Sequence, residues 1–227
     1  MSQRLDLAVI ESDGQETPLS VDVKQILVAG YTGRDRAKVL EHIEELRHLG
    51  VEPPPRVPMV YVLGPDQLSL SPAIHVAGRE TSGEAEFFLL RVDDVTYVGV
   101  ASDHTDRKEE AIDVEHSKLI CPHPISSTLW RYADLVDHWD RIEIRSWTTD
   151  HAGRRLYQEG HLDAFLGVDD LLREVRDAGH SDLSQRVIYC GTLPTLEGFV
   201  YGSRFEAELH DPVLDRTLTC AYEVITA

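Results

Sequence analysis

The chain has 227 residues, 42% of them hydrophobic and 27% charged, which is ordinary for a globular protein and enough for a full core. Its 22 Lys and Arg stand against 40 Asp and Glu, and a net charge of -18 excludes nucleic acid or an anionic membrane as its general partner. Cys121, Cys190 and Cys220 form neither a CxxC pair nor an even framework, no stretch approaches eighteen apolar residues, and MSQRLDLAVIESDG lacks a basic region followed by a signal-length apolar run. A reduced, cytoplasmic chain with no membrane span is expected.

LDLAVI and SVDVKQILVAG alternate like strands around a polar SDGQETP turn, which predicts a small amino-terminal sheet. In GYTGRDRAKVLEHIEELRHLGV, the residues Val39, Leu40, Ile43 and Leu46 recur at helical spacing, with Gly50 as a C-cap before the prolines. His42 and Glu45 stand three apart on that helix. The spacing suits a carboxylate orienting a general base, and it equally suits a surface ion pair. EPPPRVP, residues 52–58, is a stiff extended connection, and MVYVLG after it reads as a short strand on which Tyr61 either packs or lines a site.

The stretch from Gly83 to Lys118 carries the chemistry. Glu84 and Glu86 are two apart at the head of an alternating apolar run, so they share a strand face. A turn at Asp93 and Asp94 and a returning strand bring Asp103 back to the level of that pair. Converging carboxylates repel, and they are stable together when some are protonated or a cation lies among them. Mg²⁺ suits such a set, since it takes oxygen ligands and keeps waters that a substrate displaces. An acidic, solvated hairpin has the same pattern. HTDRKEEAIDVEHSK is then expected to form a short helix capped by Thr105, with Arg107 pairing to the carboxylates, followed by a loop to Lys118. His104, His116 and His123 are further imidazoles nearby, ranked behind His42 as the base.

Downstream, the pattern predicts a short amphipathic helix at 130–138, a strand at 141–149, a turn at Ala152–Gly153 with a returning strand, and a helix ending at Gly179. Trp130, Trp139 and Trp147 are expected to anchor the core. RVIYCGTLP is a strand and a Gly-Thr turn, where Gly191 permits close backbone approach. Two strands joined by a DPVLD loop finish the chain.

The segments GEAEFF, VASDHTDR, SKLICPHPIS, YQEGHLDAFLGVDDLL and YCGTLPT, in that order, resemble the fumarylacetoacetate hydrolase superfamily and, within it, the DUF2848 family, over about residues 26 to 218. The resemblance implies an α+β fold, a mixed β-sheet roll with few short helices, in which residues 1–58 supply amino-terminal strands and a lid helix and residues 59–227 form the catalytic core. It implies Mg²⁺ or Mn²⁺ held by Glu84, Glu86 and Asp103, with Lys118 at the substrate. His42 and Glu45 would be the acid/base pair of the lid, although the family places this pair a few residues earlier, close to Arg36, and the interval from Glu86 to Asp103 is shorter than usual. Arg34, Arg36, Gln158 and Thr192 are then the candidates for binding substrate. A homodimeric hydrolase or lyase is expected, acting on a small 2-oxo acid or β-dicarbonyl compound through an enolate, by C–C bond hydrolysis, decarboxylation or (de)hydration. The rival is a non-catalytic, metal-dependent protein of the same fold that binds small carboxylates.

Overall fold

The computed structural model describes residues 2–48 and 52–226, apart from the side chains of His42, Glu45 and Leu46. The first alternating stretches form β1 (Gln3–Ile10), β2 (Glu16–Val23) and β3 (Gln25–Gly30), and the amphipathic run becomes α1 (Arg36–His48). The expected C-cap at Gly50 lies outside the described residues. Four short strands follow: β4 (Met59–Leu63), β5 (Leu68–Ser69), β6 (Ala73–Val76) and β7 (Thr81–Ser82). The central hairpin is β8 (Ala85–Val92) with β9 (Val95–Ser102), and its two-residue turn puts Asp93 at φ +54°. Beyond it lie β10 (Thr105–Asp106), α2 (Arg107–Glu110), α3 (Val114–Leu119), β11 (His123–Pro124) and β12 (Thr128–Arg131). The remainder comprises β13 (Glu143–Asp150), β14 (Gly153–His161), α4 (Val168–Asp177), β15 (Arg186–Thr192), β16 (Arg204–Asp211) and β17 (Arg216–Thr226).

An eight-stranded mixed sheet, in the order β2-β1-β12-β9-β8-β15-β3-β4, packs one face against a five-stranded sheet, β14-β13-β16-β17-β6. The core between them takes Phe87 and Leu89 of β8, Val98 and Val100 of β9, and Phe205, Leu209 and Tyr222 from the smaller sheet. The other face of the large sheet curls around a second core that holds Phe88, Leu90, Tyr97, Val28, Tyr189 and Leu7. Both faces of the β8–β9 hairpin are thus dry, which is why its apolar runs are nearly continuous. The result is an α+β fold dominated by a rolled mixed sheet, with few helices.

The amino-terminal strands do not form a sheet of their own. β1 pairs with β12, and β3 lies between β15 and β4, so the large sheet crosses the boundary expected near residue 58. No α-helix occupies 130–138 either. Trp130 is in β12 opposite Val98, and short 3-10 turns at Tyr132–Asp134 and Val136–Arg141 follow. Burying the Trp130 ring between the sheets, with the Arg216 guanidinium 4.9 Å from its centroid, outweighs the local helical spacing. Trp139 joins the same core, whereas Trp147 is half-buried on the outer face of the smaller sheet under Arg154, 4.3 Å from its ring centre.

Candidate metal centre

The register of the central hairpin builds the site. Ala85 pairs with Ser102 and Glu86 with Ala101, and just beyond the ladder the Asp103 amide donates to the Glu84 carbonyl at 3.0 Å. Glu84, Glu86 and Asp103 therefore share the face that also carries Phe88 and Leu90, at the mouth of the second core. One carboxylate oxygen from each lies within 4.8 Å of the others.

Glu86 is buried among groups that suit a negative charge poorly. Burial, and then the Asp103 carboxylate, push its pKa well up, against the Gly191 N–H that donates to Oε2 at 2.7 Å. That amide is available because the β15–β8 register shifts between Tyr189 and Thr192 and Gly191 adopts φ +104°. A Cβ at Gly191 would lie 2.0 Å from Thr32 Oγ1, so close approach adds to the demand for glycine. The Thr32 hydroxyl donates to the Cys190 carbonyl at 2.7 Å and locks the turn after β3 to the end of β15.

Asp103 has the opposite environment. Burial works to raise its carboxyl, but Lys118 and His123 outweigh it and hold the group ionised. Lys118, on the last turn of α3, places Nζ on Oδ2. His123 brings Nε2 to 3.2 Å from Oδ1 without hydrogen-bond geometry, so both atoms are buried with no hydrogen-bond partner among the described residues. The Lys118 ammonium is itself raised, since Asp103, Glu84 and Glu110 together exceed the cost of its burial. Glu84 is lifted by burial, and Arg107 opposes this from 3.1 Å. Arg107 is fixed in turn by Ser82 Oγ at 2.7 Å and Glu110 at 2.8 Å, with Phe199 stacked 4.4 Å away. A divalent cation fits this donor set: three carboxylates converge, two of them buried and Glu84 partly so, Glu84 and Glu86 are destabilised as anions, and Asp103 Oδ1 has no hydrogen-bond partner among the described residues.

Several expected roles find different partners. Gln158 is buried, its Oε1 accepts from the Ala85 amide at 2.9 Å and from Ser146 Oγ at 2.8 Å, and its Nε2 donates to Thr192 Oγ1 at 2.8 Å and the Leu193 carbonyl at 2.6 Å. Every position on that amide is filled within the protein, and Gln158 ties the start of β8 to the end of β15. The Thr192 hydroxyl belongs to the same clamp, donating to the Ala85 carbonyl at 2.9 Å. Gln158→Leu should therefore lower stability by about 2–4 kcal/mol, because it leaves buried backbone groups unpaired beside Glu84 and Glu86. Denaturant titration of the metal-free protein measures this.

Arg34 grips Asp140 through both terminal nitrogens, at 2.9 and 2.6 Å, and donates from Nε to the Phe165 carbonyl, so its fork is already engaged. Arg36 is exposed and lines a shallow cleft with Tyr31, Val39 and Pro58. The side chains of His42 and Glu45 lie outside the described residues, although both positions are on α1. Asp106, not Thr105, caps α2, accepting from the amides of Lys108 and Glu109, while the Thr105 hydroxyl turns back to the Asp103 carbonyl. His104 faces away from the carboxylates onto the Tyr222 hydroxyl at 2.9 Å, and burial pushes its pKa down to about 3, with Arg107 and His123 adding to the effect. His116 is exposed. His123, ranked low on sequence, is the imidazole at the carboxylates; its only signal was its place five residues after Lys118 at the head of an apolar turn.

Residues 29–222 match a family described as protein of unknown function (DUF2848). No curated protein matches the chain. Among solved structures, a fumarylacetoacetate hydrolase family protein of yeast is 15% identical, with 90% of this chain and 94% of that one covered at a TM-score of 0.63. A 5-carboxymethyl-2-hydroxymuconate delta-isomerase from Mycobacterium smegmatis is 14% identical, with 99% of each chain covered and a TM-score of 0.62. A 2-keto-3-deoxy-D-arabinonate dehydratase is 15% identical over 90% of this chain and 74% of that one, with a TM-score of 0.63.

Proposed function

Since the chain belongs to the DUF2848 family and has the fold of the fumarylacetoacetate hydrolase proteins, we propose that it is a divalent-metal-dependent enzyme acting on a small 2-oxo acid or β-dicarbonyl compound through an enolate. The observation that carries this reading is the meeting of Glu84, Glu86 and Asp103 at one largely buried point, with a lysine on one of them. Two structural neighbours, a dehydratase of a 2-keto-3-deoxy acid and a delta-isomerase of a 2-hydroxymuconate, support the substrate class.

Glu84, Glu86 and Asp103 would hold Mg²⁺ or Mn²⁺, which when bound supplies Lewis-acid polarisation of a carbonyl and open positions for substrate oxygens. Lys118 stays charged, and its ammonium is a fixed donor for negative charge that develops on the enolate oxygen. Asp103 orients that ammonium, and His123 steadies Asp103 from its other oxygen. His42, with Glu45, moves the proton, and Arg36 meets the substrate carboxylate. C–C bond hydrolysis, decarboxylation and (de)hydration share the enolate, and the protein works as a cytoplasmic homodimer.

A screen of 2-oxo acids and acylpyruvates with Mg²⁺ or Mn²⁺, run beside Glu84→Gln, tests the reading; equal, negligible conversion by both proteins would end it. The non-catalytic alternative draws on the later position of the His-x-x-Glu pair and on Arg36 where the family has its histidine. His42→Ala separates the two: turnover falls by a factor on the order of a hundred while metal is retained, whereas a pure binding protein keeps its ligand affinity and has no turnover to lose.

A further inference from the structure

A fourth acid stands beside the three that converge. Glu110, the last residue of α2, accepts from Arg107 Nη1 at 2.8 Å through Oε2, and the same nitrogen lies 3.1 Å from Glu84 Oε1, so the two carboxylates meet on one atom. Burial lifts the Glu84 carboxyl and works against the Lys118 ammonium, while Glu110 acts upward on both, as a negative charge next to the centre must. Glu110 also stands where the centre opens to solvent. Asp103, Glu86 and Lys118 are buried, whereas Glu84 keeps 16% of its side chain exposed and Glu110 keeps 27%.

The cations that touch these acids are already committed. Lys118 holds Asp103, and Arg107 gives Nε to Ser82 Oγ, Nη1 to the two glutamates and one face to the Phe199 ring. Its Nη2 is left, buried and without a partner among the described residues, which serves a single oxygen but not the two-pronged grip that a carboxylate takes. Four carboxylates thus face one ammonium and one guanidinium, and a single divalent ion brings the centre to neutrality. A 2-oxo acid with one carboxylate adds one negative charge to that balance. A second carboxylate on the same molecule would meet Glu110 at the opening with no counterion to receive it. Glu110 Oε1, by contrast, accepts no hydrogen bond among the described residues and is open to a donor.

We propose that Glu110 is a specificity-determining residue at this opening: it turns away a second carboxylate and accepts a hydrogen bond from an uncharged tail, so that the substrate is a 2-oxo acid with one carboxylate and a hydroxyl on its tail. This rests on the metal-dependent reading above and narrows its substrate class. Selection by an unpaired like charge has a signature that packing lacks, since neutralising the residue improves binding of the excluded ligand.

The test titrates the full chain in Mn²⁺ with three unreactive probes that share one chelating head: oxamate, N-oxalylglycine, which adds a tail carboxylate, and N-(2-hydroxyethyl)oxamate, which adds a tail hydroxyl. The wild type should bind the hydroxyethyl probe about tenfold more tightly than N-oxalylglycine. Glu110→Gln keeps an oxygen for Arg107 and removes the charge; it should bring the two probes within about twofold of each other by tightening N-oxalylglycine, with oxamate unchanged. Glu110→Asp keeps the charge and should keep the wild-type order. N-oxalylglycine bound by the wild type as tightly as the hydroxyethyl probe, the result expected if Arg36 took a second carboxylate, overturns the assignment. So does a preference that survives Glu110→Gln, or an equal change in all three probes. If the wild type binds neither Mn²⁺ nor oxamate, the metal-dependent reading itself fails and the assignment falls with it; if it binds both, a failed comparison removes only the role of Glu110.

Discussion

Glu86→Gln is expected to weaken Mn²⁺ binding by a factor of a hundred or more while raising the stability of the metal-free protein. Losing a group that merely orients a metal ligand costs roughly 10–100-fold in affinity, and losing a ligand charge from a set of three should exceed that. The gain in the metal-free state follows from the electrostatics of the same residue. Glu86 is 3% exposed, its carboxylate is opposed first by burial and then by Asp103, and among the described residues the direct donor to it is the Gly191 amide. Glutamine keeps an oxygen for that amide and removes the buried charge. Titration with Mn²⁺ and thermal unfolding in chelator read the two effects separately, and a Gln variant that is less stable without metal would refute this account of Glu86.

Lys118→Met should do the reverse. Among the described residues the ammonium is the one charged group that bonds directly to Asp103 Oδ2, and its side chain is 8% exposed, so removing it leaves a buried carboxylate without that partner. The metal-free protein should lose about 3–5 kcal/mol. Divalent affinity should hold or increase, because a competing positive charge has left the carboxylate centre, and saturating metal should restore much of the lost stability. Turnover on any substrate found by the screen should fall by a factor on the order of 10²–10³, the scale for removing a fixed donor aimed at developing negative charge. The contrast is diagnostic: one variant is stable, and blind to metal; the other is fragile, metal-competent and inactive. Loss of metal binding in Lys118→Met would show that the lysine organises the centre rather than the substrate.

The convergence of Glu84, Glu86 and Asp103 was readable because it depends on short-range rules. Alternation puts residues 84 and 86 on one face, and the turn at Asp93–Asp94 sets a register in which the chain returns at Asp103. The bonds made by the Gln158 amide and the Thr192 hydroxyl were not readable for the converse reason. A motif names the residue types, but Gln158 finds its partners on β8, β13 and the end of β15, strands far apart in sequence, and only the assembled sheets show that its amide is full. The helix expected at 130–138 failed similarly: the local spacing is helical, and the pairing of β12 with β9 overrides it at Trp130. His123 was underrated because its distance to Asp103 depends on how α3 ends and β11 begins, which periodicity does not report. The left-handed Tyr31 gave no pattern at all, since sequence marks that conformation through glycine or asparagine, and neither stands there.

Calorimetric titration of the chelator-stripped full chain with Mn²⁺, beside Glu84→Gln and Glu86→Gln, bears most directly on a cation held among these acids. The expected outcome is one ion per chain in the wild type, with a raised thermal midpoint on binding and neither effect in the two variants. Binding of equal strength in all three proteins, or a wild-type midpoint indifferent to both Mn²⁺ and chelator, would contradict it.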